Sequence, residues 1–138
     1  MKLTWTLSVT LVAALTLALT PLCNDVATGD SHAVRAKLTG YCNGCDSSGV
    51  ARSGRKFKDM NYKFCAADPR YWKPGTVIKF GPPINACYTV EDTGGAVKGK
   101  HRFDLYFRGS CKAGSGCKGF NNPSPYYTVV KRGTRNWP

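Results

Sequence analysis

Thr76-Val-Ile-Lys-Phe80-Gly-Pro-Pro-Ile-Asn85-Ala-Cys-Tyr-Thr-Val90 decides the fold class of this 138-residue chain. Its two ends are rich in β-branched and aromatic residues, and they flank a turn in which Pro82 and Pro83 cannot donate to a strand ladder. Residues 76–80 and 86–90 therefore read as two strands. Working outward, Phe103-Asp-Leu-Tyr-Phe107 and Tyr126-Tyr-Thr-Val-Val-Lys131 have the same composition, and residues 34–41 alternate loosely between apolar and polar, as a half-buried strand does. Glycines punctuate the spaces, among them Gly44, Gly54, Gly75, Gly99 and Gly109. Past residue 29 no stretch keeps a helical apolar period over three turns. Residues 55–64 have room for one short helical turn, and the glycine- and proline-rich residues 110–125 read as a long loop. Short strands at this spacing predict an all-β domain, a small closed barrel or a sandwich.

The N-terminal segment has a different character. Lys2 precedes an apolar run from Leu3 to Leu22, no acid occurs before Asp25, and Ala27-Thr-Gly29 fits a small-x-small cleavage pattern. Residues 1–29 read as a secretory signal and residues 30–138 as one domain, expected to be a secreted (periplasmic or extracellular) monomer without a membrane anchor after cleavage. The run is long enough that an uncleaved anchor is the competing reading. Cleavage removes Cys23 and leaves Cys42, Cys45, Cys65, Cys87, Cys111 and Cys117. In an exported chain these read as a disulfide framework, with Cys111–Cys117, Cys65–Cys87 and Cys42–Cys45 as one of several possible pairings. Cys42-x2-Cys45 also has zinc-ligand spacing, but Cys111-x5-Cys117 is too wide for the usual second pair, so no metal or other cofactor is expected.

The formal charge of +12 draws the chain toward polyanions. The basic residues are scattered and form no nucleic-acid module, so nucleic acid is not expected as a partner. For an exported protein anionic cell-wall polymers and membrane surfaces are candidate partners, with anionic cell-wall polysaccharide the one expected, beside the plain reading of a soluble basic surface.

Chemistry then falls on few acids. Asp46 and Asp59 sit in turn-forming contexts, and Asp30 is near the expected start of the domain. Asp92 ends a strand and precedes Thr93-Gly94-Gly95, where backbone N–H groups can approach a ligand. Asp104 interrupts an aromatic strand. Alternation puts Phe103, Leu105 and Phe107 on one face and Asp104 with Tyr106 on the other, outside the aromatic core. Asp68 precedes a proline, which biases it toward extended backbone.

These residues occur in a series of strings: Thr39-Gly-Tyr-Cys-Asn-Gly-Cys45, Ala51-Arg-Ser-Gly54, Cys65-Ala-Ala-Asp-Pro69, Pro74-Gly-Thr76, Glu91-Asp-Thr-Gly-Gly-Ala-Val-Lys-Gly99 and Arg102-Phe-Asp-Leu-Tyr-Phe107. Their order resembles the bacterial 3D domain, a family named for three aspartates and similar to the catalytic domain of membrane-bound lytic transglycosylase A and to stationary-phase survival muralytic proteins. The resemblance implies a six-stranded double-psi β-barrel, here with disulfide staples, and cleavage of peptidoglycan glycan strands. It carries the named aspartates onto Asp68, Asp92 and Asp104. Two departures stand out. The stretch from Gly99 to Asp104 is one residue longer than in many small members, which implies a bulge that re-aims Asp104. The cysteine-tied loop after Phe107 is outside the motif.

On this reading the chain is a peptidoglycan lytic transglycosylase, a lyase with an anhydro-muramyl product. Asp104 is the acid/base, and Asp92 tunes it. Thr93, Gly94, Gly95, Tyr106, Lys98 and Arg102 contact substrate. Each residue also has a plain reading: Asp68 as a loop anchor, Asp92 as an Asx-turn former, Asp104 as an ion pair with Arg102 or Lys98, and His101 as a solvated histidine. Two other functions are a two-carboxylate glycoside hydrolase and a non-catalytic, expansin-like wall binder or secreted effector.

Overall fold

The computed structural model describes residues 34–42, 48–108 and 121–138. Within them lie six strands, β1 (Lys37–Cys42), β2 (Phe64–Ala67), β3 (Val77–Phe80), β4 (Ala86–Asp92), β5 (Arg102–Phe107) and β6 (Tyr127–Lys131), and one 3-10 turn at Phe57–Met60. The strands form a mixed sheet in the order β1-β5-β2-β4-β3-β6. β3 and β4 form an antiparallel hairpin with Val77 opposite Thr89 and Phe80 opposite Ala86. β1 runs parallel to β5 and β2 parallel to β4, whereas β2–β5 and β3–β6 are antiparallel.

β2 is the strand that composition did not reveal. Phe64-Cys-Ala-Ala67 is buried at all four positions, because β4 and β5 flank it and both its faces are covered. A strand without a solvent face shows no alternation, and alanine is a weak strand former.

Alternation divides the sheet into two unequal sides. Leu38, Cys65, Ile78, Phe80, Val90, Phe103 and Leu105 build the main core, together with Trp72 from the loop after β2. The opposite side carries a smaller cluster of Ala51, Phe57, Met60, Phe64 and Tyr106. The 3-10 turn supplies Phe57 and Met60 to it, and the Tyr106 ring stacks on Phe64 at a centroid distance of 4.6 Å. Tyr106 lies on the face opposite Phe103 and Leu105, as alternation places it, but it is 3% exposed within an aromatic cluster of its own rather than open to a substrate.

The strand count of six holds, but the sheet does not close. Its end strands are β1 and β6. The segments beside them meet at one isolated bridge, Arg35 to Tyr126. Ala36 N–H donates to the Pro125 carbonyl at 2.8 Å and Leu38 N–H to the Pro123 carbonyl at 3.3 Å. Neither proline has an N–H to return, so no continuous ladder forms there.

Cys65, expected to staple to Cys87, is instead a free thiol, fully buried in the main core. Burial pushes its pKa up, with the charges of Asp104 and Asp92 acting in the same direction. Cys42 and Cys87 are both engaged, and no disulfide joins two of the described cysteines. The expected signal at 1–29, Cys45 and the Cys111–Cys117 loop lie outside the described residues. Among the described residues no helix is long and apolar enough to cross a membrane.

Candidate functional site

Strand pairing assembles the site. Asp104 on β5 stands opposite Thr39 on β1 and Ala66 on β2. Ala66 in turn stands opposite Asp92 on β4. Directly paired residues project to the same side of a sheet, so Thr39, Asp104, Ala66 and Asp92 form one row across four strands. Adjacent strands are about 4.8 Å apart, which sets the Asp104 and Asp92 backbones roughly 10 Å apart. In the row between them stands Ala66, whose side chain is a methyl group.

The bulge lies elsewhere than the sequence implied. β5 keeps an unbroken register against both β1 and β2 through Asp104. The irregularity falls where Cys65 faces Val90 but Ala66 faces Asp92, with Glu91 as the extra residue of β4. One inserted residue moves every later side chain to the other face. Asp92, not Asp104, is therefore the aspartate that a bulge re-aims, and the shift brings it into the row.

Asp92 meets only donors. Its Oδ2 accepts the Tyr41 hydroxyl at 2.9 Å, and its Oδ1 accepts the Arg52 N–H at 2.9 Å and the Thr93 N–H at 2.9 Å. The Asx-type contact to Thr93 agrees with the plain reading, but the bonds from Tyr41 and Arg52 come from distant segments and exceed it. Burial first, then the Asp92 charge, pushes the Tyr41 hydroxyl pKa well above its ordinary value, so Tyr41 acts here as a fixed donor.

Asp104 has the opposite surroundings. Burial raises its carboxyl pKa, and the charge of Asp92 adds to that; a hydrogen bond from the Thr39 side chain and the charge of Arg102 work against it. Its Oδ1 is buried without a hydrogen-bond partner among the described residues. A buried carboxylate oxygen without a donor favours the protonated form.

Asp68 is bound differently again. It is 1% exposed, at the end of β2. Oδ2 accepts Arg70 Nη2 at 2.6 Å and the Gly99 N–H at 2.7 Å, while Oδ1 accepts the Arg70 backbone N–H at 3.1 Å and Arg70 Nε at 3.0 Å. The Arg70 side chain beside it, aided by the two N–H groups, holds its carboxyl far below the usual range. This geometry is that of a clamp joining residues 68–72 to residues 98–100, and it sets Asp68 apart from the Asp104 row.

The remaining expected site residues scatter. Thr93 follows Asp92 directly. A side chain at Gly94 would meet Val97 Cγ2 at 2.8 Å, so Gly94 is required by the turn that Val97 N–H closes on its carbonyl, whereas Gly95 faces open space. Lys98 is exposed beyond that turn, and Arg102 shares the Asp104 face of β5 with its Nε buried and unpaired. His101 is exposed and bonds the Tyr127 hydroxyl through Nδ1 at 2.8 Å.

Three functional neighbours were missed. Thr39 and Tyr41 each hold one of the two aspartates, and their i, i+2 spacing on β1 was the available signal. Glu91 had no comparable signal. It is fully buried and bonded to Arg55 at 3.1 Å and to Arg135, and its Oε2 is unpaired. It thereby fastens the 51–55 turn, which offers the Arg52 N–H to Asp92, and the C-terminal segment to β4.

Residues 63–121 match the family model of the 3D domain. That stretch holds β2 to β5 with Asp68, Asp92 and Asp104, but neither β1 with its Thr39 and Tyr41 nor β6. No curated protein and no solved structure matches the chain.

Proposed function

Residues 63–121 match the 3D-domain family model, and on that basis we propose that this protein is a cell-wall enzyme that cleaves peptidoglycan glycan strands as a lytic transglycosylase. The observation that carries the proposal is the contrast within one row: Asp104 has a buried oxygen without a donor, and Asp92 accepts three hydrogen bonds. Such a pair suits a carboxylic acid that keeps its proton beside a second carboxyl group held by fixed donors.

Asp104 gives its proton to the glycosidic oxygen as the bond from that oxygen to C1 breaks. The leaving sugar takes away the proton and the bonding pair. Asp92, held by Tyr41, Arg52 and Thr93, balances positive charge developing on the ring. The Asp104 carboxylate then takes the proton of the sugar's own 6-hydroxyl as that oxygen closes on C1. An anhydro ring forms and Asp104 is again protonated, ready for the next strand. Thr39 holds Asp104 through a side-chain hydrogen bond, and Ala66 puts no polar group between the two aspartates. Thr93, Gly95, Lys98 and Arg102 remain the proposed substrate contacts, while Tyr106 and Asp68 take supporting places.

The proposal includes export through residues 1–29, a double-psi arrangement of the six strands, and disulfide staples at Cys42 and Cys87. Incubation with purified sacculi followed by mass analysis tests the reaction. Anhydro-muropeptides are expected from the native chain and none from Asp104→Asn. Reducing-end products would instead identify a hydrolase, and binding without soluble product would identify a wall-binding protein.

A further inference from the structure

The Asp68 clamp does more than close a loop. By fixing residues 68–72 against residues 98–100 it gathers side chains that are far apart in sequence onto one corner of the molecule. Tyr71 is 48% exposed, with the Arg70 guanidinium 5.6 Å from its ring centre. Trp72 Nε1 donates to the Lys100 carbonyl at 2.9 Å, which places the exposed Lys100 next to the Trp72 ring. From the C-terminal side Arg132 stands over that same ring at 5.5 Å. Lys98 is exposed one residue before Gly99, whose N–H binds Asp68.

The charge of this corner is one-sided. Asp68 is the only acid within residues 68–73, 98–102 and 131–133, and it is buried and matched by Arg70. Lys98, Lys100 and Arg132 therefore face solvent without an acid from these segments beside them. The corner lies at one end of the sheet that carries the proposed site. Ala67 pairs with Phe103 and Ala66 with Asp104, so Asp68 and the turn before β5 lie at the same end of the sheet, two steps along β5 from Asp104.

We infer that Tyr71, Lys98, Lys100 and Arg132 form a docking surface for an anionic glycan strand, which holds the polymer as it runs on from the Asp104 row. Cations attract its carboxylates over the screening length of the medium, and the exposed phenol ring offers a flat apolar face to a sugar ring. This rests on the reading of the chain as a peptidoglycan-cleaving enzyme for the identity of the polymer, but binding is measurable without cleavage.

The test uses the full chain carrying Asp104→Asn, so that sacculi stay intact, and measures pelleting with purified sacculi in about 50 to about 300 mM NaCl. Adding Tyr71→Ala, Lys100→Ser and Arg132→Ser is expected to weaken binding about tenfold or more at low salt and to flatten its salt dependence. Lys56→Ser with Lys58→Ser removes the same two charges beside the 3-10 turn and is expected to change binding less than about threefold. Tyr71→Ala alone, an exposed position that leaves the fold intact, is expected to weaken binding severalfold. Equal weakening by the two charge-matched variants would reduce the effect to net charge and overturn the inference. So would unchanged binding in the Tyr71→Ala chain, or displacement of the protein from sacculi by an equal mass of single-stranded DNA, which also stacks on exposed rings. Sacculi that bind but are never cleaved by the native chain would remove the enzyme reading and leave this surface standing.

Discussion

The corner around Asp68 and the row around Asp104 are built from the same residue type, and the sheet treats them in opposite ways. Asp68 accepts bonds from one arginine side chain and two backbone N–H groups, and its pKa is driven down. Asp104 is half-buried, keeps an oxygen without a donor, and has its pKa driven up by that burial. Membership in a three-aspartate motif therefore does not assign a common role. Donor supply does: Asp68 lies at a strand end, where loop N–H groups are free to bind it, whereas Asp104 lies mid-strand, where the backbone donors are committed to the ladder.

The largest way to break this contrast is Asp104→Asn. Loss of an acid/base lowers activity by about 10²–10⁴-fold. A raised carboxyl pKa means that Asp104 stabilises the fold while protonated and that this contribution fades as pH rises past its unfolded value of about 4. The asparagine avoids that cost, so the variant is expected to be inactive on sacculi yet as stable as the native chain at pH 7, or more stable, in urea unfolding.

Asp68→Asn acts in the opposite sense. It removes the charge that Arg70 and two N–H groups are arranged to bind, and about 2–3 kcal/mol of stability should disappear at pH 7. Because the folded pKa of Asp68 is depressed, its contribution is present above pH 4 or so and is lost as pH falls below that. The native chain should lose stability on that acid limb and the variant should show a shallower fall. Activity per folded molecule is expected to stay within about threefold of native on sacculi, since stability rather than chemistry is changed.

Tyr41→Phe sharpens the comparison within the row. It deletes one of the three donors to Asp92, and a charge-assisted bond of about 1.5 kcal/mol corresponds to roughly tenfold in rate. The loss should fall on kcat more than on KM, because the bond positions a carboxylate whose charge matters in the transition state.

Much of this could be read from the chain alone. The β3–β4 hairpin, β1, β5 and β6 all coincide with runs whose alternation or β-branched content marked them, because each has at least one face of mixed exposure. β2 stayed hidden because the two apolar clusters on either side of the sheet bury both its faces. The alternation that set Asp104 apart from Phe103 and Leu105 was sound, but it could not show that residues 51–60 fold over the opposite face and enclose Tyr106. The bulge at Glu91 was equally invisible: local sequence does not disclose which partner position is skipped, and skipping one decides which way Asp92 points. Thr39 and Tyr41 were legible as a motif and not as ligands of the aspartates, since parallel pairing of β1 with β5 links residues some 65 positions apart.

The most direct test of the contrast is a carbon-13 NMR titration of the aspartate side-chain carboxyls in the native chain, with Asp68→Asn and Asp104→Asn spectra to assign the signals. Asp104 is expected to titrate above the ordinary aspartate range, and Asp68 to remain ionised to the lowest pH at which the chain stays folded. An Asp104 that titrates at or below the ordinary aspartate value would contradict its place as the proton donor.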